Sequence, residues 1–138
     1  MRISAYRKAH FNAAHRLYLP DLTDAENHDL FGSCSNPLFH GHNYDLTVKV
    51  TGEVDARTGF LIDLKILKEY IREHVEDVFD HKNINLEVEE FKDNKLNPTA
   101  ENICYVIWQR LRKVLDEKYE LTVRLYETPR NFVEYPAG

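Results

Sequence analysis

Two stretches of the chain alternate between apolar and polar residues. From Ile3 to His15 one parity carries Ile3, Ala5, Ala9, Phe11, Ala13 and His15, and the other carries Tyr6, Lys8, His10 and Asn12. The pattern returns as His42, Tyr44, Leu46, Val48 and Val50, opposed by Asn43, Asp45, Thr47, Lys49 and Thr51 and closed by Gly52. A two-residue period marks a half-buried strand, because successive side chains leave a strand on opposite faces. A third alternation, Leu121, Val123, Leu125 and Glu127 against Thr122, Arg124 and Tyr126, leads through Pro129-Arg130-Asn131 to Phe132–Tyr135 and predicts a hairpin.

Elsewhere the period is helical. Leu64, Leu67, Ile71, Val75 and Val78 recur behind Asp63, a good N-cap, and predict a helix from about Leu64 to Phe79. Asn97-Pro98-Thr99 predicts the start of a second helix, with Ile103, Ile107, Leu111, Val114 and Leu115 as its inner stripe and an end near Glu117. Arg16 to Phe39 shows no strong period and is expected to be a long loop, of the kind that usually serves as a lid or binding loop. Asn85 to Leu96 is expected to be a polar connection. The order strand, loop, strand, helix, helix, strand, strand predicts an α+β fold, with both helices on one face of an antiparallel sheet. At 138 residues, one domain spanning 1–138 is the expectation.

Composition narrows the function classes. With 43% hydrophobic and 30% charged residues and no apolar run near the roughly 20 residues that span a bilayer, the chain is not expected to enter a membrane. Met1 to Arg7 carries positive charge with no apolar segment after it, so a cytoplasmic protein is expected. Two cysteines, Cys34 and Cys104, are too few for a disulfide framework. A net charge of −5 without dense Lys and Arg argues against nucleic acid as a partner.

The candidate chemistry centres on Cys34-Ser35-Asn36-Pro37-Leu38-Phe39-His40-Gly41-His42-Asn43. On a strand, His40 and His42 point to one face, about 6 to 7 Å apart. His15 ends the first strand on its apolar face, so antiparallel neighbours would bring it to the other two. Three neutral imidazoles leave zinc an open fourth position, the arrangement of a catalytic site; hydrogen-bonded histidines at a polar sheet end are the plain alternative. Cys34 is either a fourth ligand that closes a structural site or a free base beside it, and spacing does not decide. Cys104, on a helical stripe, is expected in the core. For Asp80-His81, a histidine interacting with the dipole at a helix C-terminus is favoured over an acid/base relay. Glu127 is a carboxylate on an apolar parity: paired, exposed, or waiting for a ligand with two adjacent N–H donors. Glu101 suits the dipole at a helix start, and either Asn97 or Thr99 a cap. His10, His28 and His74 belong to no constellation.

Phe11-Asn12-Ala13-Ala14-His15-Arg16-Leu17, Leu30-Phe31-Gly32-Ser33-Cys34 with His40-Gly41-His42-Asn43-Tyr44, Asp80-His81-Lys82-Asn83, Pro98-Thr99-Ala100-Glu101-Asn102 and Tyr126-Glu127-Thr128 together resemble the 6-pyruvoyl-tetrahydropterin synthase family, from about Phe11 to Tyr135. The resemblance implies a tunnelling fold: a four-stranded antiparallel sheet with two helices per subunit, three subunits closing a barrel, and two trimers stacked as a homohexamer. It implies 7,8-dihydroneopterin triphosphate as substrate, zinc on His15, His40 and His42, Cys34 as general base, and Asp80 with His81 tuning or relaying the proton. Glu127 would grip the pterin through its N–H groups, with Thr99 and Glu101 as further contacts at that end. Arg16 and Lys82 are suspected of meeting the triphosphate.

The family also contains 6-carboxytetrahydropterin synthases, which act on the same substrate in queuosine and related deazapurine synthesis. The five residues between Cys34 and His40 resemble the pyruvoyl branch, where the carboxy branch commonly has three. Two rivals remain: a non-catalytic zinc-stabilised domain with Cys34 as fourth ligand, and a pterin-binding relative that cleaves or epimerises dihydroneopterin without losing triphosphate.

Overall fold

The computed structural model describes residues 1–138. The long alternations become two antiparallel strands, β1 (Arg2–His15) and β2 (His40–Glu53), paired along their whole length from Arg2 opposite Glu53 to His15 opposite His40. The hairpin follows as β4 (Glu120–Tyr126) and β5 (Phe132–Tyr135), with β4 antiparallel to β2. These four strands are the expected ones. The sheet nevertheless has five strands and is mixed rather than purely antiparallel, with a short strand at Lys82–Asn83 (β3) on its outer edge, in the order β3-β1-β2-β4-β5. The added strand runs parallel to Ala13 and Ala14 of β1. Two residues are too few for alternation to register, so the sequence pattern could not reveal it.

One face of the sheet carries the core. Phe11, Tyr44, Leu46, Val48, Val50, Val123 and Leu125 are buried there. The alternation weakens toward the start of β1, where Ile3 is 46% exposed. The predicted Leu64–Phe79 helix is continuous but changes type: α2 (Leu64–Ile71), a π-helical turn (Arg72–Glu76), then α3 (Asp77–Phe79). Its inner stripe is Leu67, Ile71, Val75 and Phe79, all at most 1% exposed, whereas Leu64 is 51% exposed. A four-residue spacing drifts about 40° per step around an ideal α-helix. The wider π turn takes up that drift and keeps the stripe on the sheet. The second helix, α5 (Ala100–Val114), is capped by the Thr99 hydroxyl, which accepts from the Asn102 N–H, and it stops at Leu115, just short of the expected end.

Both connections hold structure that the sequence pattern concealed. Inside the expected loop lies α1 (Asp24–Phe31), opened by a capping box in which Thr23 and Glu26 satisfy each other's backbone N–H. This helix fully buries only Asn27, so it has no apolar stripe to read. Asn27 supplies the local core with hydrogen bonds instead, accepting from the Leu19 N–H and donating to the carbonyls of Leu19, Leu22 and Thr23. A 3₁₀ turn, Gly32–Ser35, then carries Cys34. The connection expected to be polar forms α4 (Ile84–Glu87) and buries Ile84, Val88 and Phe91 at helical spacing. No helix is long and apolar enough to cross a membrane.

Candidate metal centre and active site

The end of β1 and the beginning of β2 build the centre. His15 and His40 are directly opposed across the ladder, and His42 stands one pleat along, opposite Ala13. The three rings form a near-equilateral triangle with centroid separations of 4.5, 5.1 and 5.0 Å. One nitrogen from each ring lies within 4.8 Å of the others, so the group could hold a metal ion. Gly41, between the two β2 histidines, allows the strands to approach: a Cβ there would stand 3.3 Å from the Ala13 carbonyl oxygen.

Hydrogen bonding determines which ring atoms are available. His15 Nδ1 lies 2.8 Å from the Pro98 carbonyl oxygen, which can only accept, so Nδ1 carries the proton and Nε2 keeps its lone pair. His15 Nε2, both ring nitrogens of His40 and His42 Nε2 are buried without partners. Orphaned ring nitrogens are costly unless something binds them, and convergent imidazole lone pairs are a donor set that fits zinc. The carbonyl behind His15 is the kind of outer contact that orients a metal-binding histidine. The fully buried Tyr44 adds to it: its hydroxyl is 3.4 Å from His15 Nδ1 and its ring stacks on Phe11.

Burial also keeps these rings neutral. Desolvation is the main cause of the lowered pKa at all three histidines, with the neighbouring imidazoles adding repulsion at His15 and His40, and it takes His15 from 6.5 to about 4. A lowered histidine pKa means the unfolded chain binds the proton that the fold refuses. The stability that neutral His15 confers is therefore complete above about pH 6.5 and is lost as pH falls toward 4. The shift corresponds to roughly 3 kcal/mol. Urea titration of metal-free protein should show the midpoint falling between pH 6.5 and 4, and an unchanged midpoint would contradict the burial argument.

Glu127 sits just beyond β4 in a turn where its N–H and that of Thr128 donate to the Asn131 carbonyl. Its carboxylate is 23% exposed and 3.9 Å from His15 Nε2. Burial, opposed by His40 and reinforced by exposed Glu101, raises its pKa. Glu101, in the first turn of α5 behind the Thr99 cap, is thus near enough for its charge to act on Glu127. Cys34 is partly exposed and its carbonyl accepts from the Leu17 N–H two residues beyond His15; burial first, then the charges of Glu127 and Cys34, raise the pKa of the Tyr44 phenol. Cys104 is in the core, its thiol pushed up to about 12 by burial.

Asp80 and His81 lie at the outer edge of β1, where His81 faces a cleft that His42 also lines. Asp80 accepts from the Asn12 N–H, which lowers its carboxyl pKa, and stands 3.0 Å from His81 Nδ1. His81 takes a left-handed φ of 59° and donates its N–H to the Asn12 carbonyl rather than to the preceding helix. Both side chains are substantially exposed, and the cleft that His81 borders, of about 550 Å³, is also lined by Asn12, Gly41, His42, Asn43 and Lys82. No hydrogen bond or ion pair joins either of them to the Cys34 turn. The Arg16 side chain, suspected of meeting phosphate, is engaged with Ser35 and Asp24. Sequence reasoning overlooked Tyr44, Asn85 and the Pro98 carbonyl; only Tyr44 left a signal, by sharing the parity of His42.

A family model described as 6-pyruvoyl tetrahydropterin synthase matches residues 4–137. The 6-pyruvoyl tetrahydrobiopterin synthase of Pongo abelii is 46% identical over 129 residues, covering 94% of this chain and 88% of that protein. The 6-carboxy-5,6,7,8-tetrahydropterin synthase of Haemophilus influenzae is 33% identical, covering 80% of this chain and 87% of that one. The solved structure of the Caenorhabditis elegans 6-pyruvoyl tetrahydropterin synthase superposes with a TM-score of 0.90 at 36% identity, covering 100% of this chain and 97% of that one. Sequence and fold agree, and the chain belongs to the 6-pyruvoyl tetrahydropterin synthase family.

Proposed function

We propose that this chain is a single-domain, zinc-dependent lyase that eliminates triphosphate from 7,8-dihydroneopterin triphosphate and yields 6-pyruvoyl-tetrahydropterin. The observation that carries the reading is the convergence of three unpartnered imidazoles, with the Cys34 turn tied to the residues just after His15 and the Glu127 carboxylate beside the His15 ring. His15, His40 and His42 would hold the metal. When bound, zinc supplies a Lewis acid that draws substrate hydroxyls and acidifies the protons beside them.

The chain's own groups divide the remaining tasks. Glu127, and Thr99 and Glu101 near it, would bind the pterin end; a carboxylate facing two adjacent N–H groups makes a charge-assisted, bidentate contact. Cys34 as thiolate would take a proton from the substrate side chain while triphosphate departs with the C–O electron pair. Electrons balance internally, because the dihydropterin ring is reduced as a side-chain alcohol becomes a ketone. Asp80 and His81 of one subunit would relay the proton for Cys34 of the next. The edge of β1 from Arg2 to Phe11, left unpaired by β3, supports closure into a barrel and with it a site shared between subunits of a cytoplasmic hexamer.

The second reading, a 6-carboxytetrahydropterin synthase, uses the same substrate and centre. The pyruvoyl branch is favoured by the Ser35–Phe39 segment, a built turn rather than slack chain: Phe39 N–H donates to the Asn36 carbonyl, and the Asn36 side chain accepts from the Leu38 N–H. Incubation with zinc and 7,8-dihydroneopterin triphosphate, followed by mass analysis, tests the assignment. Triphosphate and the pyruvoyl product are expected; a carboxy product would transfer the chain to the other branch, and intact triphosphate ester would end the lyase reading.

A further inference from the structure

We propose that Arg16 is a positioning residue that fixes the Cys34 turn relative to the three-histidine centre, and that Asn85 holds Arg16 in place. The proposal rests on Cys34 being the base. Arg16 directly follows His15, where β1 ends and its backbone has no strand partner. The Asn85 amide takes that part: its Oδ1 accepts from the Arg16 N–H and its Nδ2 donates to the Arg16 carbonyl, both at 2.8 Å. A side chain thus imitates a neighbouring strand and immobilises the residue next to a proposed metal ligand.

From this anchored backbone the chain grips the Cys34 turn at two consecutive carbonyls. The Leu17 N–H donates to the Cys34 carbonyl at 2.9 Å, and Arg16 Nε donates to the Ser35 carbonyl at 2.7 Å. The Ser35 hydroxyl is already spent on the Gly32 carbonyl, so its own buried carbonyl requires a donor from outside the turn. The guanidinium also lies 3.9 Å over the Tyr18 ring and reaches Asp24 at 3.3 Å, with only 14% of the side chain exposed. A planar fork that stacks and donates in fixed directions suits this job, and a lysine ammonium does not reproduce it. The same engagement argues against Arg16 as a free triphosphate ligand.

The test uses the full-length, zinc-loaded Arg16→Met and Arg16→Lys variants, measuring kcat, KM, zinc content and the rate of Cys34 alkylation by iodoacetamide. Cys104 is 1% exposed with its thiol pushed up to about 12, so single alkylation reports Cys34. The expected result is a fall in kcat of about 10²-fold, the scale of a displaced reacting group, with KM and zinc content little changed and Cys34 alkylated several-fold faster. Arg16→Lys should fail to restore kcat, which separates fork geometry from charge. If Arg16→Met does not fold, Arg16→Lys is read alone against the same criteria. A raised KM with unchanged kcat and alkylation would make Arg16 a substrate ligand and overturn the proposal, as would wild-type behaviour in every measurement. Cys34→Ser is the control: full activity there would defeat the base assignment, while the alkylation result for the Arg16 variants would still report whether the turn is held.

Discussion

Cys34→Ala is expected to fold and to keep its zinc, while kcat falls by about 10²- to 10⁴-fold, the usual worth of a positioned proton acceptor. The geometry separates the thiol from the ligand set: the ring nitrogens of His15, His40 and His42 form the metal-competent group, and Cys34 is not a member of it. Its 3₁₀ turn is tied instead through Leu17 and Arg16. Zinc content, thermal unfolding and triphosphate release measured on one preparation decide the matter. If the variant loses zinc and unfolds, the thiolate is a structural fourth ligand and the non-catalytic zinc domain becomes the better account.

Chelation of zinc should abolish triphosphate release and lower the thermal midpoint by on the order of 10 °C, with both restored on adding zinc. The size follows from linkage: metal present at 1,000 times its dissociation constant adds about 4 kcal/mol to folding. Its sign follows from the buried ring nitrogens of the three histidines, which have no other partners. His40→Ala should reproduce the chelated state and no longer respond to chelator. Undiminished turnover after complete metal removal, verified by elemental analysis, would remove zinc from the mechanism.

How much the sequence revealed depended on whether a residue declares itself through local periodicity. The strands, the two main helices and the shared face of His15, His40 and His42 are all written in two- and four-residue spacings, so the register that joins them followed. What could not be read is polar or made by backbone. α1 is organised around Asn27, a hydrogen-bonding hub with no apolar stripe, although Thr23 and Glu26 spelled its capping box. The support behind His15 is a carbonyl, that of Pro98, and a carbonyl has no letter in the sequence. β3 is two residues long, and the turn at Asp80-His81 is held by the backbone of Asn12 in addition to the Glu76 carbonyl of the helix it follows. Such contacts belong to the assembled fold, and no spacing rule anticipates them.

The pairing of His15 with His40 across the ladder makes strand register the ruler of the proposed metal centre. An extra residue between Phe11 and His15, or between His40 and Tyr44, would turn a ligand to the opposite face of the sheet. Descendants of this chain are therefore free to vary in length only outside those segments. Between Cys34 and His40, a change of length would move the proposed base while leaving all three imidazoles where they are. The centre thus separates a part that cannot drift from a part that can, and divergence of reaction within such an architecture has an open route that spares the metal site.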